Sequence, residues 1–244
     1  MIALSPHDAD DTLALPEEDA SASVPARVAR AIQAMIADEG LEEGDALPSQ
    51  RDLVGILGAS RPSVREAISM LEALGLVRVE QRRGLFVAAA SGLQPADLWS
   101  HGTGYSLEET YQFRMAMEPQ VLRLALPALT GDVKWRLWRS VEALMAAARS
   151  GRSVEAAEQD TLFHDLIVEA CGNRIFQSMH RLMAREFQSS QWVPMVRMES
   201  MVETASEHLA IMEAVDRLDR DAACHAMAAH IQSAARRAGI DLTS

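Results

Sequence analysis

Four ionisable side chains occupy positions where the surrounding pattern asks for apolar ones. In "EQDTLFHDLIVEAC", Asp160 and His164 lie four residues apart, about one helical turn, and share a face with Phe163, Ile167 and Ala170. His208 falls on the stripe Met201, Ala205, Met212 and Val215, and His230 on the stripe Ala223, Met227 and Ala234. Burying a polar group without a partner is costly. One such histidine alone is ordinarily a core side chain bonded to a backbone carbonyl. One carboxylate and three imidazoles pointing into the same bundle make an O,N,N,N donor set suited to a divalent metal: Zn first, with Ni, Mn and Fe(II) also suited, and with positions left open for a ligand or water. A second constellation is cationic. In "GASRPSVREAISMLEALGLV", Arg61 and Arg65 are four apart at the start of a periodic helix, opposite Ile68 and Leu71. Arginine at the N-terminal end of a helix reads guanine through a bidentate contact in the major groove. Ser60 and Ser63 are short donors at the same end. Arg51 is placed to approach the DNA backbone, and Arg82, Arg83 and Gly84 form a basic tip suited to phosphates or the adjacent minor groove.

The elements that must position these residues can be read from period and punctuation. "VPARVARAIQAMIADEG" carries the apolar helical stripe Val24, Val28, Ala31, Ile32, Met35 and Ile36, closed by Gly40. Pro48 holds the chain extended, and Ser49 with Asp52 forms an approximate capping box for a short second helix that buries Leu53, Ile56 and Leu57 and ends at Gly58. Ser60 caps a third helix, which tolerates Pro62 in its first turn and ends at Gly75. The period then turns strand-like: "LVRVE" and "LFVAA" joined through "QRRG" predict a β-hairpin. Three helices and a hairpin predict a winged helix-turn-helix over residues 24–90. Residues 1–23 read as a disordered acidic tail and 91–106 as a linker. Residues 107–240 read as an all-α antiparallel bundle, with helices at 107–128, 132–149, 153–171, 174–193, 199–218 and 219–238. The expected fold class is therefore mainly α.

A 244-residue chain with 48% hydrophobic residues can bury two cores. It has no apolar run of membrane-spanning length and no signal sequence, and Cys171 and Cys224 form no disulfide framework, so a cytoplasmic protein is expected. The net charge of -12 argues mildly against a nucleic-acid partner. Its distribution argues the other way. Residues 58–84 hold five arginines against three glutamates, residues 25–90 sum to only -1, and about -11 lies outside that segment. Residues 1–24 alone contribute six carboxylates and no lysine or arginine.

"LPSQRDLVGILGASRPSVREAISMLEALGLVRVEQRRGLFV" resembles the DNA-binding domain of the GntR family of bacterial transcription regulators. The shared pattern is Leu-Pro-Ser-Glu-Arg, Ser-Arg, Val-Arg-Glu-Ala, Leu-Glu-x-x-Gly-Leu and a closing Arg-Gly-x-Phe-Val. Gln50 stands where Glu is common and Leu85 where Thr is common. The resemblance implies DNA contacts at Arg51, Arg61, Arg65 and the wing tip near Gly84. The C-terminal half resembles the FCD ligand-binding domain of the FadR-type branch, through "FRMAME" (Arg114, Glu118), "DTLFHDLIVEACGN" (Asp160, His164, Asn173), "EHLAIMEAV" (His208) and "AMAAHI" (His230). The intervals of four, 44 and 22 residues are those of family members that hold a divalent metal, which disfavours an acyl-CoA effector.

The resemblance thus implies a transcription regulator and not an enzyme. A homodimer would meet a pseudo-palindromic double-stranded DNA operator, with no membrane partner, and a small carboxylate or sugar-acid effector near the metal would release it. Arg114 is the candidate partner for the effector's charge, with a surface or interdomain salt bridge as the alternative. Asn173 is a candidate for the same pocket, with a helix cap as the alternative. Two other readings are a metal-dependent enzyme fused to a DNA-binding head and a regulator whose metal is structural or is itself the signal. His7, His101, His180 and His225 are given no functional role, and Trp99, Trp135, Trp138 and Trp192 are read as packing or interface residues.

Overall fold

A computed structural model describes residues 23–88, 99 and 104–242. The described residues divide into two compact units, the first made of residues 23–72 and 77–88, the second of 73–76, 99 and 104–242. All of the expected acidic tail but Ser23, and twelve of the sixteen residues of the expected linker, lie outside the described residues.

In the first unit, α1 (Val24–Asp38) starts at Ser23, whose Oγ accepts from the backbone N–H of Ala26 at 3.4 Å, and it buries Val28, Ile32 and Met35. β1 (Ala46–Leu47) precedes α2 (Gln50–Leu57). Ser49 accepts from the Asp52 backbone at 3.3 Å and donates to its carboxylate at 2.6 Å, so the expected cap forms. Gly58 ends α2 in the left-handed region at φ +59°, where a Cβ would be strained. α3 (Arg61–Ala73) begins with Ser60 Oγ accepting from Ser63 N–H at 3.3 Å and buries Val64, Ala67, Ile68 and Leu71. β2 (Val77–Glu80) and β3 (Gly84–Val87) pair antiparallel, from Val77↔Val87 to Glu80↔Gly84. The expected hairpin is one part of a larger sheet: β1 pairs with the other edge of β3 through Ala46↔Phe86 and Leu47↔Leu85, giving the order β1-β3-β2.

The second unit is helical. α4 (Leu107–Ala125) opens on a capping box: Ser106 Oγ accepts from Glu109 N–H at 3.1 Å while Ser106 N–H donates to the Glu109 carboxylate at 2.7 Å. A 3-10 turn, Leu126–Ala128, leads to α5 (Gly131–Arg149) and α6 (Ser153–Ala170). The helix expected over 174–193 is two, α7 (Arg174–Leu182) and α8 (Ala184–Trp192), broken at Met183 (φ -101°, ψ 14°) without a glycine or proline. A 3-10 turn, Val193–Val196, precedes α9 (Met198–Asp216) and α10 (Arg220–Arg237). α5 packs along α6 and α9, and α10 along α4 and α9. Leu122, Phe163, Ile167, Ile211, Met212, Met227 and Ile231 belong to the shared core. Ten of the eighteen residues of α6 are buried, so this helix is covered on more than one face. A polar side chain on its inner side is surrounded by protein, and its partners must come from neighbouring helices.

Candidate nucleic-acid interface and metal centre

At the start of α3 the cap fixes the geometry. Ser60 and Ser63 hydroxyls lie 2.9 Å apart, and Val64, Ile68 and Leu71 anchor the opposite face in the core. Arg61 and Arg65 are exposed on one side, as is Arg51 at the start of α2, while Ser63 is half-buried. Among the described residues, no ion-pair partner is found for Arg51, Arg61, Arg65 or Arg82. In the wing, the two tip arginines have different surroundings. Arg83 is bound to Glu80, which also holds Arg78, and both guanidiniums lie over the Phe86 ring, at 5.5 and 5.3 Å. Arg82, at φ +63°, and Gly84, at φ +128°, form the tip itself.

In the bundle, α6 contributes Asp160 and His164, α9 His208 and α10 His230, and one donor atom from each lies within 4.8 Å of all the others. All four residues are at most 2% exposed. His208 Nε2 lies 3.2 Å from Asp160 Oδ1, and His164 Nε2 lies 3.9 Å from the same oxygen. His164 Nε2 and His230 Nε2 face one another at 3.3 Å.

Two carboxylates set the orientation of the rings. Glu118 Oε2 on α4 lies 2.5 Å from His164 Nδ1, and Glu207 on α9 accepts from His230 Nδ1 at 2.8 Å. Each carboxylate is backed by a guanidinium: Arg114 Nε donates to Glu118 at 2.6 Å, and Arg237 donates to Glu207 through Nη1 and Nη2 at 2.7 and 2.8 Å. Burial opposes ionisation of Glu118, but Arg114 and His164 more than offset it and hold the group well below the usual carboxylate range. Glu207 is likewise disfavoured by burial, yet Arg237 and His230 hold it at about 2. A carboxylate beside each Nδ1 turns the Nε2 of both rings inward.

Electrostatics at the centre favour deprotonated donors. Burial pushes His208 down to about 4 against the opposing pull of Asp160, and burial also lowers His230. Burial works against an ionised Asp160, but His208, His164 and His230 together hold it at about 2. His208 stacks on Phe163, with centroids 4.0 Å apart.

The residues fit a divalent cation. Asp160 Oδ1 and His208 Nε2 are buried and in no hydrogen bond, despite their proximity. Buried polar atoms without partners are rare because each is destabilising. Facing lone pairs also repel. A cation would resolve both defects, and three imidazoles and a carboxylate held by a second layer of acids is what metal sites use.

Arg114 and Asn173 separate at this point. Arg114 is 1% exposed, so it forms no surface salt bridge, and it is a neighbour of Asp160 and His230. Its Nη1 donates to Ser190 Oγ at 3.1 Å, and its Nη2 is buried without a partner. Asn173 instead caps α7: its side-chain oxygen accepts from Ile175 and Phe176 N–H at 2.9 and 3.4 Å and is thereby occupied. Reading by stripes missed Glu207 and Arg237 and assigned no role to Glu118. The spacing of Arg114 and Glu118, one turn apart, was the available signal for that pair.

A winged helix-turn-helix joined in one chain to a helical domain with a buried polar centre defines a DNA-binding transcription regulator. The chain belongs to the GntR family of bacterial regulatory proteins, which matches residues 25–87, and carries the FCD domain, which matches residues 109–233. It is 27% identical over 215 residues to the HTH-type transcriptional repressor NanR of Cronobacter sakazakii, covering 83% of this chain and 80% of that one. It is 28% identical over 215 residues to the repressor NanR of Escherichia coli strain K12, covering 83% and 79%. The fold is shared with a transcriptional regulator GntR from Rhodococcus sp. RHA1, at TM-score 0.50 and 20% identity over 89% of this chain and 99% of that one. No helix among the described residues is long and apolar enough to cross a membrane.

Proposed function

We propose that the protein is a homodimeric repressor of a pseudo-palindromic operator, released by a small carboxylate or sugar acid that binds beside a divalent metal in the bundle. One observation carries this reading: Asp160 Oδ1, His208 Nε2 and Arg114 Nη2, all buried and unpartnered, belong to one neighbourhood. Asp160, His164, His208 and His230 would hold the metal, Zn before Ni, Mn or Fe. When bound, the metal supplies a cation with positions open to ligand oxygens. Arg114 Nη2 offers a charge-assisted donor to the acid's second oxygen. Arg61 and Arg65 would read base edges. Arg51, Ser60, Ser63, Arg82 and Gly84 would hold the backbone, and Arg83, tethered to Glu80, would add charge beside it. Two similar proteins are named repressors, which supports release rather than recruitment by effector. The effector must bind the DNA-competent and DNA-incompetent states with different affinities.

Elemental analysis of protein purified without chelator tests the site. The wild type should carry about one metal per chain, and the doubly substituted His208→Ala/His230→Ala protein should carry none. A metal-free wild type with an equally stable variant would reduce the four residues to core polar groups. An operator selected from random duplexes then tests the response. Affinity that follows the metal alone, whatever acid is added, would make the metal the signal.

A further inference from the structure

The wing carries more cations than it leaves free. Residues 78–84 hold Arg78, Arg82 and Arg83 against Glu80, a net of +2. In the hairpin register Arg78 stands opposite Phe86 and Glu80 opposite Gly84, so strand alternation puts these four positions on one face. On the other face Val77, Leu85 and Val87 are buried. Glu80 Oε1 holds Arg78 Nη1 and Glu80 Oε2 holds Arg83 Nη1, so each oxygen of the carboxylate is taken by a different guanidinium.

The backbone fixes that carboxylate. The Glu80 carbonyl accepts from Arg83 N–H at 3.0 Å and closes the turn. One residue earlier, Val79 N–H donates to Glu72 of α3 at 3.1 Å. Glu72 thereby ties β2 to the helix that presents Arg61 and Arg65.

Ion pairs this exposed add little to stability: the Arg83 side chain is 71% exposed and that of Arg78 46%. Their consequence lies in what approaches the wing. A DNA phosphate that recruits either arginine must take it from a carboxylate, and meets that carboxylate's charge as it does so. Arg82, exposed at the tip and with no ion-pair partner found among the described residues, carries no such burden.

We propose that Glu80 is a clamp that restrains the grip of the wing on DNA: it holds Arg78 and Arg83 off the phosphates and leaves Arg82 as the wing's phosphate contact. This deepens the DNA-binding reading above and rests on it. The share of affinity that comes from phosphates is blind to sequence. By withholding two arginines per chain from that share, Glu80 lowers binding to arbitrary DNA and leaves the choice of site to Arg61 and Arg65. A regulator surrounded by a vast excess of other DNA needs that restraint.

The probe is a labelled duplex of random sequence, titrated with the full chain by anisotropy between about 50 and 200 mM salt. Glu80→Gln keeps the size and removes the charge. It should tighten binding at least about fivefold at the low-salt end and steepen the salt slope by about one to two per chain, since each phosphate newly neutralised adds roughly 0.9. In a chain already carrying Arg78→Gln and Arg83→Gln, the same change should have less than about a twofold effect. An equal gain in that background would make Glu80 a bare repelling charge and overturn the clamp. No gain from Glu80→Gln, with Arg82→Gln still weakening binding, would also overturn it and leave the wing on DNA. If neither substitution moved binding, the wing contacts would fall and this inference with them, while a loss of affinity with Arg51→Ala would keep the rest of the DNA-binding surface standing.

Discussion

Glu207 reaches the candidate metal centre only through His230, yet both His230 and Arg237 depend on it. Replacing it by Gln removes the charge that orients His230 and leaves Arg237 half-buried beside an amide. Losing such a support costs metal affinity about 10- to 100-fold, measurable by competition with a chromophoric chelator; an unchanged affinity would detach Glu207 from the site. Protons should compete with the same core. In the chelated protein, His208 titrates near 4 when folded against its ordinary 6.5. The unfolded chain therefore binds a proton that the fold refuses, so stability is full above 6.5 and declines as pH falls towards 4. Asp160 and Glu207, ordinarily at 3.8 and 4.5 but held at about 2, extend the loss to lower pH. A melting temperature that stayed flat from pH 6.5 to 4 would contradict this burial pattern. At this scale the four donors were legible because each interrupts an apolar stripe. Glu207 was not, because its partners His230 and Arg237 stand on α10, a neighbour that adjacency in the sequence does not disclose.

The local elements were legible wherever a cap or a glycine marks an end. Ser49, Gly58 and Ser60 delimit the helix-turn-helix to the residue. β1 escaped because two residues pair with β3 some forty positions on, a contact with no local signature. The break at Met183 escaped for the same reason, since tertiary packing overrides propensity there. The wing carries a prediction of its own. Arg82 holds φ +63°, which for a non-glycine residue costs about 1–2 kcal/mol. Arg82→Gly should therefore raise the thermal stability of the protein while weakening operator binding and making the salt slope shallower by about one. Weaker binding with an unchanged slope would mean that Arg82 touches no phosphate. Gly58→Ala should destabilise by about 1 kcal/mol through φ alone, since nothing lies within 4 Å of the added Cβ; a neutral effect in a denaturant titration would rule that strain out.

Across the whole molecule, charge is partitioned: the segment that meets DNA sums to -1 within a chain of -12. Operator affinity should follow the local arginines and not the net charge. With Arg51 and Arg82 of two subunits on four phosphates, a rise from 50 to 200 mM salt should weaken binding roughly a hundredfold. Affinity indifferent to salt in an anisotropy titration would place the DNA elsewhere. The sequence separated the two units because the period changes from strand to helix between them. Their order in the chain has a temporal outcome. The winged unit is complete at Val87, whereas the donor cluster awaits His230, 143 residues later. At bacterial elongation rates of about 5–20 residues per second, that interval is roughly 7–30 seconds. For that long, each newly made polypeptide on the ribosome carries its winged helix-turn-helix without the donor cluster of the bundle.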